Sequence, residues 1–265
     1  MKIRRVATYG PALLASATLA LAGCGTASNT GTPAGPGASA SPSRAALPPK
    51  DAVLASTTVL TQTTYRYTLS SDGLTGTGLA DPTAKKTSLS AKGGQGDESV
   101  TMDFVLIGDD LWLKMDFGGK NSTLGVPKQF MHLDRAKLKG KGAPGFITDS
   151  GDPGESQKLF AGLVDAQRVD DRHYKLTLDL TRATASTVDK ELLDKLGDKA
   201  KAVPGTATLD DQGRLVETTV DLSAVDPKAA IKITYTDFGA PVTINKPAKS
   251  DTVEAPNSVY EIFST

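Results

Sequence analysis

The sequence predicts an α+β domain: a large curved antiparallel sheet, a half-barrel, with about three helices on its concave side. Three observations carry that expectation. Roughly ten segments alternate apolar and polar residues with a period of two, separated by turns rich in Gly and Asp. Only three stretches repeat apolar residues at helical spacing. Aromatic residues make up 5% of the chain while Thr, Ser, Gly and Asp abound, a mix suited to strands and turns. Alternation gives each strand one wet and one apolar face, so the sheet needs a cover on one side only. A sheet that wide must twist and curl. Three short helices cover its concavity thinly. Two interiors stay open: the sheet divides into sandwiched halves and fills its own core, or a cavity persists beneath the helices.

The chain starts with an address. Lys2, Arg4 and Arg5 precede an apolar run through Leu13, Leu14, Leu19 and Leu21, closed by Ala22-Gly23-Cys24. That order is a secretory leader over residues 1–23, and the run is too short for a comfortable membrane span. Cys24 is the only cysteine, so it cannot staple an intrachain disulfide. Residues 24–45, dominated by Gly, Thr, Ala, Ser and Pro, lack apolar periodicity and read as a flexible tether. Fully stretched, residues 25–43 would reach on the order of 60 Å, at about 3.3 Å per residue.

The domain spans residues 46–247. A helix is expected over 49–62, opened by Pro48 and Pro49, with Asp51 at its positive end and Val53, Leu54 and Leu60 on one face. The period then switches to two: Tyr65, Tyr67 and Leu69 alternate with Arg66 and Thr68, and Asp72-Gly73 supplies a hairpin turn. Segments 74–79 and 86–91 continue the series. The strongest strand signal is 100–107, with Val100, Met102, Phe104 and Leu106 on one face. After the turn at Gly108-Asp109-Asp110, segment 111–116 returns with Leu111, Leu113 and Met115 on one face.

Residues 117–154 are irregular, apart from a strand at 129–133 beside Trp112. Lys137, Lys139 and Lys141, interleaved with glycines, read as an exposed loop. A second helix is expected over 155–164 with Leu159, Phe160, Leu163 and Val164 as its apolar face. Strands resume near 166, and Tyr174, Leu176, Leu178 and Leu180 alternate with Lys175, Thr177 and Asp179. A third helix is expected over 187–202. Ser186 with Asp189 resembles a capping box, Val188, Leu192 and Leu196 share a face, and Glu191 sits one turn before Lys195. Strands at 205–209, 215–222 and 230–238 follow, the last with Ile231, Ile233 and Tyr235 on one face. Val242 and Ile244 close the core, and 248–265 reads as a C-terminal tail.

Charge and motifs narrow the chemistry. The 30 basic and 30 acidic residues balance, and three of the basic ones lie in the leader, so the remainder is slightly acidic. No basic stripe suits phosphate neutralisation, which argues against nucleic-acid partners. His132 and His173 are the only histidines and lack metal-ligand spacing, and no Gly-x-Ser-x-Gly elbow appears. Neither catalytic residues, a metal site nor a cofactor is expected. The pairs Asp109-Asp110, Asp170-Asp171 and Asp210-Asp211 sit between strands, where turn formation explains them.

Leu21-Ala22-Gly23-Cys24 resembles a bacterial lipobox, which implies cleavage before Cys24 and acylation of its thiol and new amino group. The wider layout resembles the actinobacterial LppX/LprG/LprF lipoproteins, similar in fold to the LolA/LolB lipoprotein carriers. The resemblance rests on the lipobox and tether, a short helix, and Thr64-Tyr65-Arg66-Tyr67-Thr68-Leu69. It continues through residues 209–216 around Asp210-Asp211-Gln212-Gly213, and the closing segment 235–242 around Asp237-Phe238-Gly239. It covers about 50–247 and shares no catalytic motif. It implies a half-barrel enclosing an apolar pocket for acylated lipids.

On that reading the pocket candidates on strand faces are Tyr67, Leu69, Met102, Phe104, Leu106, Leu113, Met115 and Leu178. Leu159, Phe160 and Leu163 would form a lid. The same residues read equally well as plain core. Three functions follow from the alternatives: a non-enzymatic, membrane-anchored carrier or presenter of a lipid or acylated amphiphile; a sensory or interaction module with a filled core that binds an envelope protein; and an enzyme. The first is the expectation, held on the outer face of the cell membrane by lipid on Cys24.

Overall fold

The computed structural model describes residues 47–71, 73–94, 99–138, 152, 154–185, 188 and 190–262. The leader, Cys24, the tether, Asp72, Lys139, Lys141, Ser186 and Asp189 lie outside the described residues. Among the described residues the chain is α+β, with one curved, unclosed sheet of twelve strands.

Two antiparallel meanders build that sheet. The first runs β1 (Tyr65–Ser71), β2 (Leu74–Asp81), β3 (Lys86–Gly93), β4 (Val100–Ile107), β5 (Asp110–Asp116) and β6 (Phe130–Leu133). The second runs β7 (Leu163–Arg168), β8 (His173–Leu178), β9 (Val203–Leu209), β10 (Leu215–Asp221) and β11 (Ala230–Thr236). Each hairpin follows from alternation plus a turn, so neighbours in sequence are neighbours in space. The meanders join where β1 pairs antiparallel with β11, placing Tyr67 opposite Tyr235 and Leu69 opposite Ile233.

The registers lay side chains in transverse rows on the inner face. One row crosses Tyr235, Tyr67, Gly78, Leu89, Phe104, Leu113 and Met131. All its side chains are buried. A second row, two residues along each strand, passes through Thr218, Ile233, Leu69, Gly76, Ala91, Met102 and Met115.

Five short α-helices lie among the described residues: α1 (Pro49–Ser56), α2 (Asn121–Leu124), α3 (Ser156–Phe160), α4 (Lys190–Leu196) and α5 (Asn257–Ile262). Val53, Leu159, Phe160, Leu196, Val259 and Tyr260 join α1, α3, α4 and α5 to the same core as the sheet. The three expected helices are all shorter than their apolar spacing suggests. The first ends at Ser56 and continues as a 3-10 turn over Thr58–Thr61. The third is α4 followed by a 3-10 turn over Gly197–Ala202, with Glu191 and Lys195 paired at 2.8 Å.

The second expected helix changes most. It stops at Phe160, and Leu163 and Val164 belong to β7. The chain reverses at Gly162, whose carbonyl accepts the Asp179 N–H at 2.7 Å. A Cβ there would lie 2.3 Å from the Asp179 carbonyl oxygen, so only glycine allows the approach. Pro204 also departs from expectation. It lies inside β9 near its start, where the partner strand β10 does not yet reach it and a missing N–H is tolerated.

Residues 248–262 are part of the fold. Segment 237–248 leaves β11, buries Ile244 and lays the Lys246 ammonium 5.0 Å from the Trp112 ring on the outer face. It reaches the far edge of the sheet, where β12 (Thr252–Glu254) pairs parallel with β6. His132 fastens that edge, with Nε2 3.0 Å from Asp110 and Nδ1 3.2 Å from Glu254.

Candidate functional site

Where the meanders meet, the inner face encloses a cavity of about 240 Å³. Its floor is Leu69, Ser71 and Leu74 of the first meander with Ile231 and Ile233 of β11. Thr218 and Val220 of β10, with Leu222 just after it, extend the floor. Its cover is Gly154, Leu159 and Leu180, with Val188 and Leu192 at and beside α4. Ser71 and Thr218 are the hydroxyl-bearing members of this lining, and the rest is hydrocarbon or backbone. Ser71, Leu74, Val188, Leu192 and Ile231 are half-buried and mark the mouth.

The inner wall of the cavity is set by a close approach of the covering backbone to the sheet. Gly154 sits so close to the sheet that a Cβ would lie 2.5 Å from the Tyr235 hydroxyl and 2.6 Å from Ile233 Cδ1.

Behind that wall lies a buried polar cluster. Asp152 accepts the Gly154 N–H on Oδ1 at 3.0 Å and the Ser156 N–H on Oδ2 at 2.7 Å. The Tyr235 hydroxyl donates to Asp152 Oδ1 at 3.4 Å and lies 2.7 Å from Ser156 Oγ. Burial pushes the Asp152 carboxyl up to about 6, against the pull of those N–H donors and the nearby tyrosine. Burial first, then the Asp152 charge, raises the Tyr65 and Tyr235 phenols well above their ordinary value. Tyr65 and Tyr235 meet edge to face with ring centroids 5.6 Å apart. Beside Asp152, Glu155 holds φ 44 and is buried against Lys158, its Oε1 2.5 Å from the ammonium. Each of Asp152, Ser156 and Tyr235 is almost fully enclosed, so this cluster fastens the 152–156 turn to β11 and offers no face to a reacting atom.

Of the residues singled out from the sequence, Leu69 and Leu159 line the cavity. Tyr67, Phe104 and Leu113 belong to the filled row beside it. Leu106, Met115, Leu178, Phe160 and Leu163 are buried in the core, and Met102 packs against it half-buried. Leu163 sits on the sheet opposite Leu178 and so cannot be part of a helical lid. Cys24 lies outside the described residues.

Ile231, Ile233, Val188 and Leu192 were visible in the sequence as apolar faces, but nothing local marked them as cavity lining. Asp152 lay in the irregular stretch, where Asp-Pro-Gly reads as one more turn. The other acidic residues do what the turns required: Asp170 Oδ1 accepts the Arg172 and His173 N–H groups, and Asp210 Oδ1 those of Gln212 and Arg214. Among the described residues, no group of His, Cys, Asp and Glu side chains is placed to hold a metal ion. No helix among them is long and apolar enough to cross a membrane. Neither a protein-family model nor a curated protein sequence matches the chain.

Proposed function

We propose that this protein is an exported lipoprotein, anchored through Cys24 to the outer face of the cell membrane, that binds a lipid or another acylated amphiphile and carries or presents it. The observation that carries the reading is the apolar cavity of about 240 Å³ between the sheet and its short cover. An alkyl chain needs no polar partner, and each methylene withdrawn from water contributes about 0.8 kcal/mol. A lining of Leu, Ile and Val supplies that and little else. The leader, the lone cysteine and the tether support a tethered location, and the curved sheet accords with the resemblance to the LolA-like carriers. On this reading the chemistry is binding, with no bond made or broken.

The test is direct. Purified protein should yield lipid in an organic extract examined by mass spectrometry, and Leu192→Trp, which fills the mouth, should yield much less. Extracts empty for both proteins would end the proposal.

One observation favours a second reading, an interaction module of the same fold. The inner face from β1 to β6 is closely filled by Tyr67, Leu89, Phe104, Leu113 and Met131, so most of the sheet serves as core. That reading requires a protein partner retained by the Leu192→Trp variant as well as by the wild type.

A further inference from the structure

The shape of the cavity limits its occupant more narrowly than its apolarity does. An apolar cavity of about 150 Å³ holds one benzene ring. Scaled from that, about 240 Å³ accommodates some nine or ten carbons. It also falls below the roughly 300–1,000 Å³ of sites for drug-sized ligands.

Depth points the same way. From the mouth, the lining passes the level of Ser71 and Ile231, then that of Leu69 and Ile233, which pair across β1 and β11. The next level is Tyr67 opposite Tyr235, and there the space ends. Gly154 presses on the Tyr235 hydroxyl and Ile233, and the Asp152 carboxylate lies behind it. A chain tip cannot pass without displacing a hydrogen-bonded, fully buried cluster. Among the described residues, the row beyond Tyr67 continues with the buried Leu89 and Phe104, and neither lines this cavity.

We propose that the cavity takes a single acyl chain, tail first, to a depth of about ten carbons. Its ligand class is the monoacyl amphiphile, with the headgroup left at the mouth. This rests on the lipid-binding reading above and adds chain number and chain length to it. Two-chain lipids gain nothing from their second chain, because the blind end and the filled neighbouring row leave it in water.

The experiment uses the full chain carrying Cys24→Ala, so that no acyl group of its own competes. Saturated fatty acids of six to fourteen carbons, kept below their micellar concentrations, are titrated by calorimetry. Affinity should rise about fourfold per added methylene up to about ten carbons and then level off. Dioctanoyl phosphatidylglycerol should bind no tighter than its single-chain lyso counterpart. Ile231→Trp, at the half-buried mouth, should weaken decanoate binding at least tenfold while the thermal midpoint is kept. Affinity that keeps climbing to fourteen carbons, or a two-chain lipid bound more than tenfold tighter than the lyso form, overturns the single-chain proposal and leaves lipid binding standing. Undiminished decanoate binding in the folded Ile231→Trp variant overturns the assignment to this cavity. Absence of binding at every chain length removes the lipid-binding reading itself.

Discussion

Tyr67 crosses directly over Gly78: a Cβ on Gly78 would lie 2.2 Å from Cζ of Tyr67 and 2.4 Å from its hydroxyl oxygen. The ring lies flat over the neighbouring strand because its hydroxyl donates to the Ser88 carbonyl at 2.8 Å, one strand further on. The two residues pair across β1 and β2, so the space for the ring is made by the absence of a side chain opposite it.

Gly78→Ala therefore forces the ring out of a buried site. The expected loss is about 3 kcal/mol, at the upper end of ordinary overpacking. It should appear as a lower urea midpoint with an unchanged m-value. Adding Tyr67→Leu should recover part of that loss and not all of it, because the new methyl would also lie 2.3 Å from the Ser88 carbonyl oxygen, which that change leaves in place. Simple addition of the two penalties would show that Gly78 matters for another reason.

Asp152 makes stability depend on pH in an unusual direction. Above about pH 6 the carboxylate is ionised in the folded and unfolded chains, and only the folded chain bears its burial. As pH falls from about 6 toward 4 the folded chain binds a proton that the unfolded chain does not. This group's contribution to stability should rise across that window, by roughly 3 kcal/mol at most, and flatten below it. Asp152→Asn carries no charge and should abolish that rise. Thermal midpoints between pH 4 and 7 test it: parallel profiles for the two proteins would contradict the assignment.

The C-terminal segment should be essential to the sheet. A chain ending at Asp251 loses β12 and α5, with them the buried Val259 and Tyr260, and the Tyr260 hydroxyl that accepts the Asp134 N–H at 2.8 Å. Burial of those two side chains is worth roughly 3–5 kcal/mol. Removal also bares the edge of β6, an invitation to pairing between molecules. Light scattering should detect association, and denaturation should detect the loss. A monomeric truncation of wild-type stability would show that the segment is dispensable.

Acylation at Cys24 is tested by metabolic labelling with an alkyne analogue of palmitate. Wild-type protein should take up label and Cys24→Ala should take up none. Equal labelling of both would refute the lipobox reading.

Local sequence carried much of the architecture. Alternation at Tyr65-Tyr67-Leu69, at 100–107 and at Tyr174-Leu176-Leu178 is a property of each segment alone, and the turns between them use residues whose backbone or side chain permits a reversal. Those segments formed the strands expected of them. The same local signals misread 155–164, because Leu159, Phe160, Leu163 and Val164 satisfy helical spacing whatever Gly162 does. They also passed over β12, three residues whose only reason to be a strand is the open edge of β6.

The candidate site was less legible. Apolar faces on Leu69, Ile233 and Leu192 are each plain in the sequence, yet they line one cavity only because β1 pairs with β11 some 170 residues away. By itself the sequence determined an α+β chain rich in antiparallel hairpins, since period and turn chemistry act between near neighbours. Tertiary structure alone decided that the two meanders join at Tyr67 and Tyr235, that Asp152 is buried behind Gly154, and that a cavity remains on one side of that wall. Those outcomes depend on which rows of large and small side chains come into register across the sheet, and register between distant strands is written in no local stretch of the chain.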